Sequence, residues 1–140
     1  MNVVLDTNVV LSGLLFGGVP GRILTAWSEG AYTWVVSPPI LQEYRRVGVA
    51  LAKGRTAVLE PLDTLFALVT VHATLVNPPP LHEPVSEDPD DDMFLAAALA
   101  GHAHVVVSGD KHLLRVSGWQ GIEVCKPRTF LDREMGRTDI

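Results

Sequence analysis

Short apolar runs, rich in β-branched residues, alternate along the chain with stretches that have helical spacing. A run that is apolar at consecutive positions is typical of a strand buried on both faces, as in a parallel sheet covered by helices. The strands are predicted at residues 3–5, 33–36, from 68 to about 76, 104–107 and 122–125.

Helices are predicted between these runs, at residues 21–29, 39–53, 56–67 and 92–101. The second helix begins near Pro39, which suits a first turn, and its apolar residues recur along one stripe. The last helix is nearly all Ala, Leu and Phe, so we expect it to be buried and to end at Gly101. Residues 77–91, with three consecutive prolines and an acidic run, are predicted to form one long loop.

The strand–helix alternation favours an α/β fold, a three-layer α/β/α sandwich with a mostly parallel central sheet. The length of 140 residues matches one domain spanning 1–140. No glycine-rich phosphate loop of the Gly-x-Gly-x-x-Gly type follows the first strand, so a dinucleotide-binding site has no support. An EF-hand beginning at Asp88 is excluded, because the positions for Gly and Glu hold Met93 and Leu99.

Net charge and cysteine content exclude some kinds of binding site. The net charge of −5 argues against binding nucleic acid through bulk positive charge, but it permits an acidic site neutralised locally by cations. Cys125 is the only cysteine, which excludes an intramolecular disulfide and a zinc site of several cysteines. No basic leader precedes the first apolar stretch, and no apolar run approaches the ~20 residues of a membrane span. We therefore expect a cytoplasmic protein without membrane association.

Four acidic residues fall where a ligand site is expected. In an open parallel sheet, ligands bind beyond the carboxyl ends of the strands. Asp6 directly follows the first strand, and Asp110 follows the fourth by three residues. Asp92 begins the buried helix, and Glu43 lies one turn into the helix after the second strand. The four acids are therefore predicted to meet at one edge of the sheet.

Each acid also has a purely structural interpretation. Asp6 could open a turn, and Asp110 could cap the turn that follows it. Asp92 could cap its helix, with Asp90 or Asp91 taking its place at the site. Glu43 could pair with Arg46 on the surface.

Packed carboxylates repel one another and take up protons unless a cation is present. Mg²⁺, with Mn²⁺ as a substitute, prefers oxygen ligands and keeps several waters. Hydroxyls of Thr7 and Ser108 and the Asn8 amide could orient these carboxylates or waters, or could serve ordinary turns. Such a site suits cleavage of a phosphodiester bond.

Four sequence blocks in this order resemble the PIN domain, and within it the VapC-type toxins of bacteria and archaea. The blocks are Val4-Leu5-Asp6-Thr7-Asn8, the stretch 36–43 ending in Glu43, the stretch 88–95 before an Ala-rich helix, and 106–110 before Lys111-His112-Leu113-Leu114. Ser108 stands where many relatives carry Thr, which keeps the hydroxyl.

The resemblance implies a metal-dependent ribonuclease with Asp6, Glu43, Asp92 and Asp110 as catalytic and metal-binding residues. It also implies an RNA substrate, a homodimer, and an antitoxin partner in a type II toxin–antitoxin pair. Basic residues on or after the predicted Glu43 helix, Arg45 and Arg46 among them, are candidates for phosphate contacts or simply a solvated face. The alternative function is a non-catalytic PIN-like module that binds RNA or a protein.

Overall fold

A computed structural model describes residues 1–135, which form a five-stranded sheet with parallel pairing throughout. The strands are β1 (Asn2–Leu5), β2 (Thr33–Val36), β3 (Thr74–Leu75), β4 (Val105–Val107) and β5 (Glu123–Cys125), in the spatial order β3-β2-β1-β4-β5. The chain thus adds strands on one side of β1, then crosses over and adds β4 and β5 on the other. The order reverses between β1 and β4, which is where α/β sheets bind ligands.

Helices surround this sheet: α1 (Thr7–Phe16), α2 (Gly18–Ser28), α3 (Pro38–Ala52), α4 (Thr56–His72), α5 (Asp92–Ala100), α6 (Lys111–Arg115) and α7 (Pro127–Phe130). Short turns of other helical types lie at Pro89–Asp91, Trp119–Gly121 and Leu131–Met135. Val3, Val4 and Leu5 are all fully buried. Because consecutive strand residues point to opposite faces, both faces of the sheet are covered. This confirms the predicted three-layer α/β/α architecture.

The prediction of a strand from residue 68 was wrong. Residues 68–71 belong to α4, and β3 is limited to Thr74–Leu75. Leu62 and Val69, seven positions apart, are both buried, so the inward stripe of α4 continues through this β-branched run. A short apolar run fits either a helix or a strand, and here packing decides.

Helices α1 and α7 were not predicted, and α6 was expected only as a turn after Asp110. In α1, Val9, Val10 and Leu11 are buried at consecutive positions, so the sequence lacks the polar stripe that reveals a surface helix. The helices α3 and α5 begin and end within about a residue of the predictions, and Gly101 is the C-cap of α5. Residues 76–88 are irregular, as expected of the long loop.

Within residues 1–135 no single helix is long and apolar enough to cross a membrane. Helices α1 and α2 together have the length and composition of a membrane span, but the chain bends by 97° between them. The expected domain of 1–140 includes residues 136–140, which lie outside the described part of the chain.

Candidate metal centre

Asp6 lies at the junction of β1 and α1, at the carboxyl edge of the sheet. Its N–H donates to the carbonyl of Val107 at 2.9 Å, and its carbonyl accepts from the N–H of Val9 at 3.0 Å. The residue is 6% exposed. The first bond ties it to the end of β4 and the second opens α1, so its backbone is fixed from both sides.

Ser108 is fully buried just after β4 and connects two of the acids. Its hydroxyl donates to Oδ2 of Asp6 at 2.6 Å and accepts from the N–H of Asp110 at 2.9 Å. The N–H of Ser108 donates to the carbonyl of Cys125 at 2.9 Å. The serine is therefore held by β5 and orients the Asp6 carboxylate.

Thr7 and Asn8, the other two residues predicted to support the site, differ in exposure. Thr7 is buried beside Asp6, and its Oγ1 has no hydrogen-bond partner among residues 1–135. A buried hydroxyl without a partner is uncommon and often marks a place for a water or an ion. Asn8 is exposed.

Asp110 is the N-cap of α6. Its Oδ1 accepts from the N–H groups of His112 at 2.7 Å and Leu113 at 3.4 Å. The interpretation of Asp110 as a cap of the turn that follows it is therefore confirmed. The charge of Asp110 also raises the pKa of Asp6 and of Asp91, and its N–H donates to the Ser108 hydroxyl that binds Asp6. Capping and a place at the site are compatible, since a carboxylate has two oxygens.

Glu43 lies on α3 and is partly buried. Its charge contributes to the raised pKa of Asp6, which places it on the same side of the molecule as the aspartates. Its Oε1 also accepts from Nη2 of Arg46 at 2.6 Å. The surface pair with Arg46 is therefore present, and the role of Glu43 at the metal stays a prediction.

Asp92 has a structural role at the start of α5. Its carboxylate accepts from the N–H of Val85 at 3.0 Å and from the N–H of Ser86 at 2.8 Å. These bonds satisfy two backbone donors of the long loop and fix where that loop joins the helix. We predicted that this carboxylate binds the metal; the structure shows it bonded to the loop, and its role at the metal stays a prediction.

Asp91 is the buried member of the acidic run. It is 7% exposed, and the pKa of its carboxyl is raised to about 6. Burial is the main cause, followed by the charge of Asp110, with smaller effects from Asp88 and Asp6. Asp90 is exposed. In the sequence, Asp91 was weighed as a substitute for Asp92, and Asp92 was preferred because the Phe94-Leu95 and Ala97-Ala98 pattern follows it at the expected offset.

Burial is also the main cause of the raised pKa of Asp6, and the hydrogen bond from Ser108 partly offsets it. Within residues 1–135, no three Asp, Glu, His or Cys side chains are close enough together to enclose one ion directly. Mg²⁺ usually takes one or two carboxylates and keeps several waters, so direct contact with every acid is not required. The oxygen-only donors and the unpartnered Thr7 hydroxyl fit a hard divalent cation.

Arg45 and Arg46, two neighbouring arginines on α3, contact different residues. Arg46 contacts Glu43, whereas Arg45 lies 4.0 Å from Asp63 and over the ring of Phe66. Arg45 therefore packs against α4.

The sequence matches the PIN domain family over residues 2–112. The structure is similar to a chain in the crystal structure of VapBC2 from Rickettsia felis bound to a DNA fragment from their promoter. The TM-score is 0.62 at 14% sequence identity, covering 90% of this chain and 98% of that one, and at this identity the likeness concerns the fold. No curated protein matches the sequence. The family match spans most of the chain, including Asp6, Glu43, Asp91 and Asp110, and the chain belongs to the PIN domain family.

Proposed function

We propose that this chain is a metal-dependent endoribonuclease that hydrolyses RNA phosphodiester bonds with Mg²⁺, for which Mn²⁺ can substitute. The observation that carries the proposal is the Ser108 hydroxyl, which donates to the Asp6 carboxylate and accepts from the N–H of Asp110, and so links two acids at the carboxyl edge of the sheet. Asp110 raises the pKa of both Asp6 and Asp91, which burial already disfavours as anions. A divalent cation offsets this cost, because it supplies the positive charge that the buried site lacks.

In this proposal Asp6, Asp91, Asp110 and Glu43 hold the cation, directly or through water, and Asp92 anchors the loop before α5. When bound, the ion supplies Lewis-acid stabilisation of charge developing on the phosphate. Ser108 keeps the Asp6 carboxylate in one orientation. The Ser108 hydroxyl is already engaged on both sides, so the nucleophile is water and not this side chain.

The RNA substrate, the homodimer and the antitoxin partner are proposed from the resemblance to VapC-type toxins and from the fold shared with the VapBC2 chain.

The direct test is cleavage of single-stranded RNA by the purified chain, with Mg²⁺ or Mn²⁺ and with chelator. Cleavage should require the ion and be lost in Asp6→Asn and Asp91→Asn. Asp63→Asn is the matched control, because that carboxylate is exposed on α4 and pairs with Arg45. Cleavage that persists in both site variants would remove the proposal.

The same experiment separates the alternative, a non-catalytic module. RNA binding without cleavage at any metal concentration would favour that module. The toxin assignment has its own test, in which expression of the wild type arrests growth and expression of Asp6→Asn does not. Equal growth in the two strains would contradict the toxin role while leaving the nuclease untouched.

A further inference from the structure

The guanidinium of Arg46 already forms an ion pair with Glu43, one of the proposed metal ligands. Within residues 1–135, Arg46 is the only Lys or Arg that forms an ion pair with Asp6, Glu43, Asp91 or Asp110. Its Nη2 lies 2.6 Å from Oε1 of Glu43, one helical turn away on α3. The Arg46 side chain is 70% exposed, whereas that of Glu43 is 26% exposed.

We propose that Arg46 competes with the divalent cation for Glu43 and, once displaced, binds the phosphate of the RNA substrate. This inference rests on the proposed function, since it assigns a further role at the same site. An exposed pair three residues apart on a helix is weak, because water screens it and both side chains lose freedom in forming it. A divalent ion at the site can therefore displace the guanidinium without a large cost.

Electrostatic repulsion is the reason why the metal ion displaces Arg46 from Glu43. A guanidinium and a divalent ion at one carboxylate repel each other, and several nearby aspartates favour the ion with the higher charge. In the metal-free protein, Arg46 partly neutralises the charge of Glu43.

The displaced guanidinium remains tethered one turn from the metal ligand and exposed to solvent. Its planar donors match the oxygens of a phosphate, and a charge-assisted bond of this kind is among the strongest that a side chain forms. The phosphate contact predicted generally from the basic residues is therefore assigned to Arg46. Arg45 instead lies beside Asp63 and over the ring of Phe66, against α4, and it serves as the comparison residue.

The first arm of the test is calorimetric titration of Mn²⁺ into the intact wild type, Arg46→Gln and Arg45→Gln. Both arginines are exposed, so neither substitution should disturb folding. Arg46→Gln should bind Mn²⁺ about three- to tenfold more tightly, because one repelling charge is removed. Arg45→Gln should match the wild type.

The second arm measures KM for single-stranded RNA at saturating Mn²⁺ over a range of salt. Arg46→Gln should raise KM several-fold, and the slope of log KM against log salt should fall by about 0.7, the value for one lost contact to a single strand. Mn²⁺ affinity that is unchanged or weaker in Arg46→Gln, or an unchanged salt slope, overturns this inference alone. A wild type that binds no Mn²⁺ overturns the proposed function and this inference together.

Discussion

The Ser108 hydroxyl donates a hydrogen bond to the carboxylate of Asp6 across 2.6 Å, linking residues 102 positions apart in the chain. The bond exists because β1 and β4 are parallel neighbours, so the residues that follow them emerge at the same edge of the sheet. It also lowers the pKa of Asp6 against the larger effect of burial. The link therefore bears on both the geometry and the charge of the site.

Removing this hydroxyl should make Asp6 harder to ionise. In Ser108→Ala the pKa of Asp6 should rise further, because a hydrogen bond that favours the anion is lost. Mn²⁺ binding, followed by calorimetry at a series of pH values, should then need a higher pH than in the wild type. Ser108→Thr keeps the hydroxyl and should restore much of the wild-type profile, whereas identical profiles for Ser108→Ala and the wild type would contradict the assignment.

Asp91 and Asp92 should respond in opposite ways to substitution. Asp92→Ala removes the acceptor for the N–H groups of Val85 and Ser86, so we expect a loss of unfolding free energy on the order of 1–3 kcal/mol. Asp91→Asn should fold at least as well as the wild type at neutral pH but bind Mn²⁺ much more weakly. Urea denaturation and metal titration of both variants test this, and full metal affinity in Asp91→Asn would return Asp92 to consideration.

The stability of the metal-free protein should fall as the pH rises through the titration of Asp91. Its pKa is about 6 in the folded chain and 3.8 ordinarily, so the folded state holds this proton more tightly than the unfolded state does. The stabilising contribution is complete below pH 3.8 and lost by about pH 6, amounting to at most about 3 kcal/mol. Asp6, whose pKa is also raised, acts in the same direction.

Urea denaturation in chelator between pH 4 and 7 measures this loss. Asp91→Asn should show a smaller decline than the wild type, and added Mn²⁺ should recover stability at pH 7 in the wild type but not in the variant. Parallel curves for the two proteins would show that Asp91 does not titrate in this window.

Gly13 should not tolerate a side chain. A Cβ there would lie 2.8 Å from the backbone carbon and oxygen of Pro20 and 2.9 Å from Leu24, where α1 and α2 meet. The backbone atoms cannot yield easily, so Gly13→Ala should lower the free energy of unfolding by roughly 1–3 kcal/mol. Gly109→Ala is the matched control, because nothing lies within 4 Å of its added Cβ. Equal stability of the two variants in urea would contradict this packing.

The sequence predicted the elements whose burial follows a clear local pattern. The strand before Asp6 and the buried helix ending at Gly101 are apolar without interruption and have recognisable ends. The sequence-based prediction missed α1 and wrongly placed a strand at residues 68–71, because the apolar residues of these two segments suit a helix or a strand. Hydrophobicity reports that a segment is buried, but in a short run it does not report the backbone conformation.

For the site, the sequence by itself determined that Asp6 and Asp110 follow strands and that an acidic run precedes α5, because strand ends can be read locally. Which acid of that run is buried and which one binds the loop depended on how α5 packs, since neighbouring residues there point in different directions. The Ser108–Asp6 bond and the contact between Arg46 and Glu43 likewise required the fold. Only tertiary structure fixes where a side chain points, because that direction is set by what packs around it.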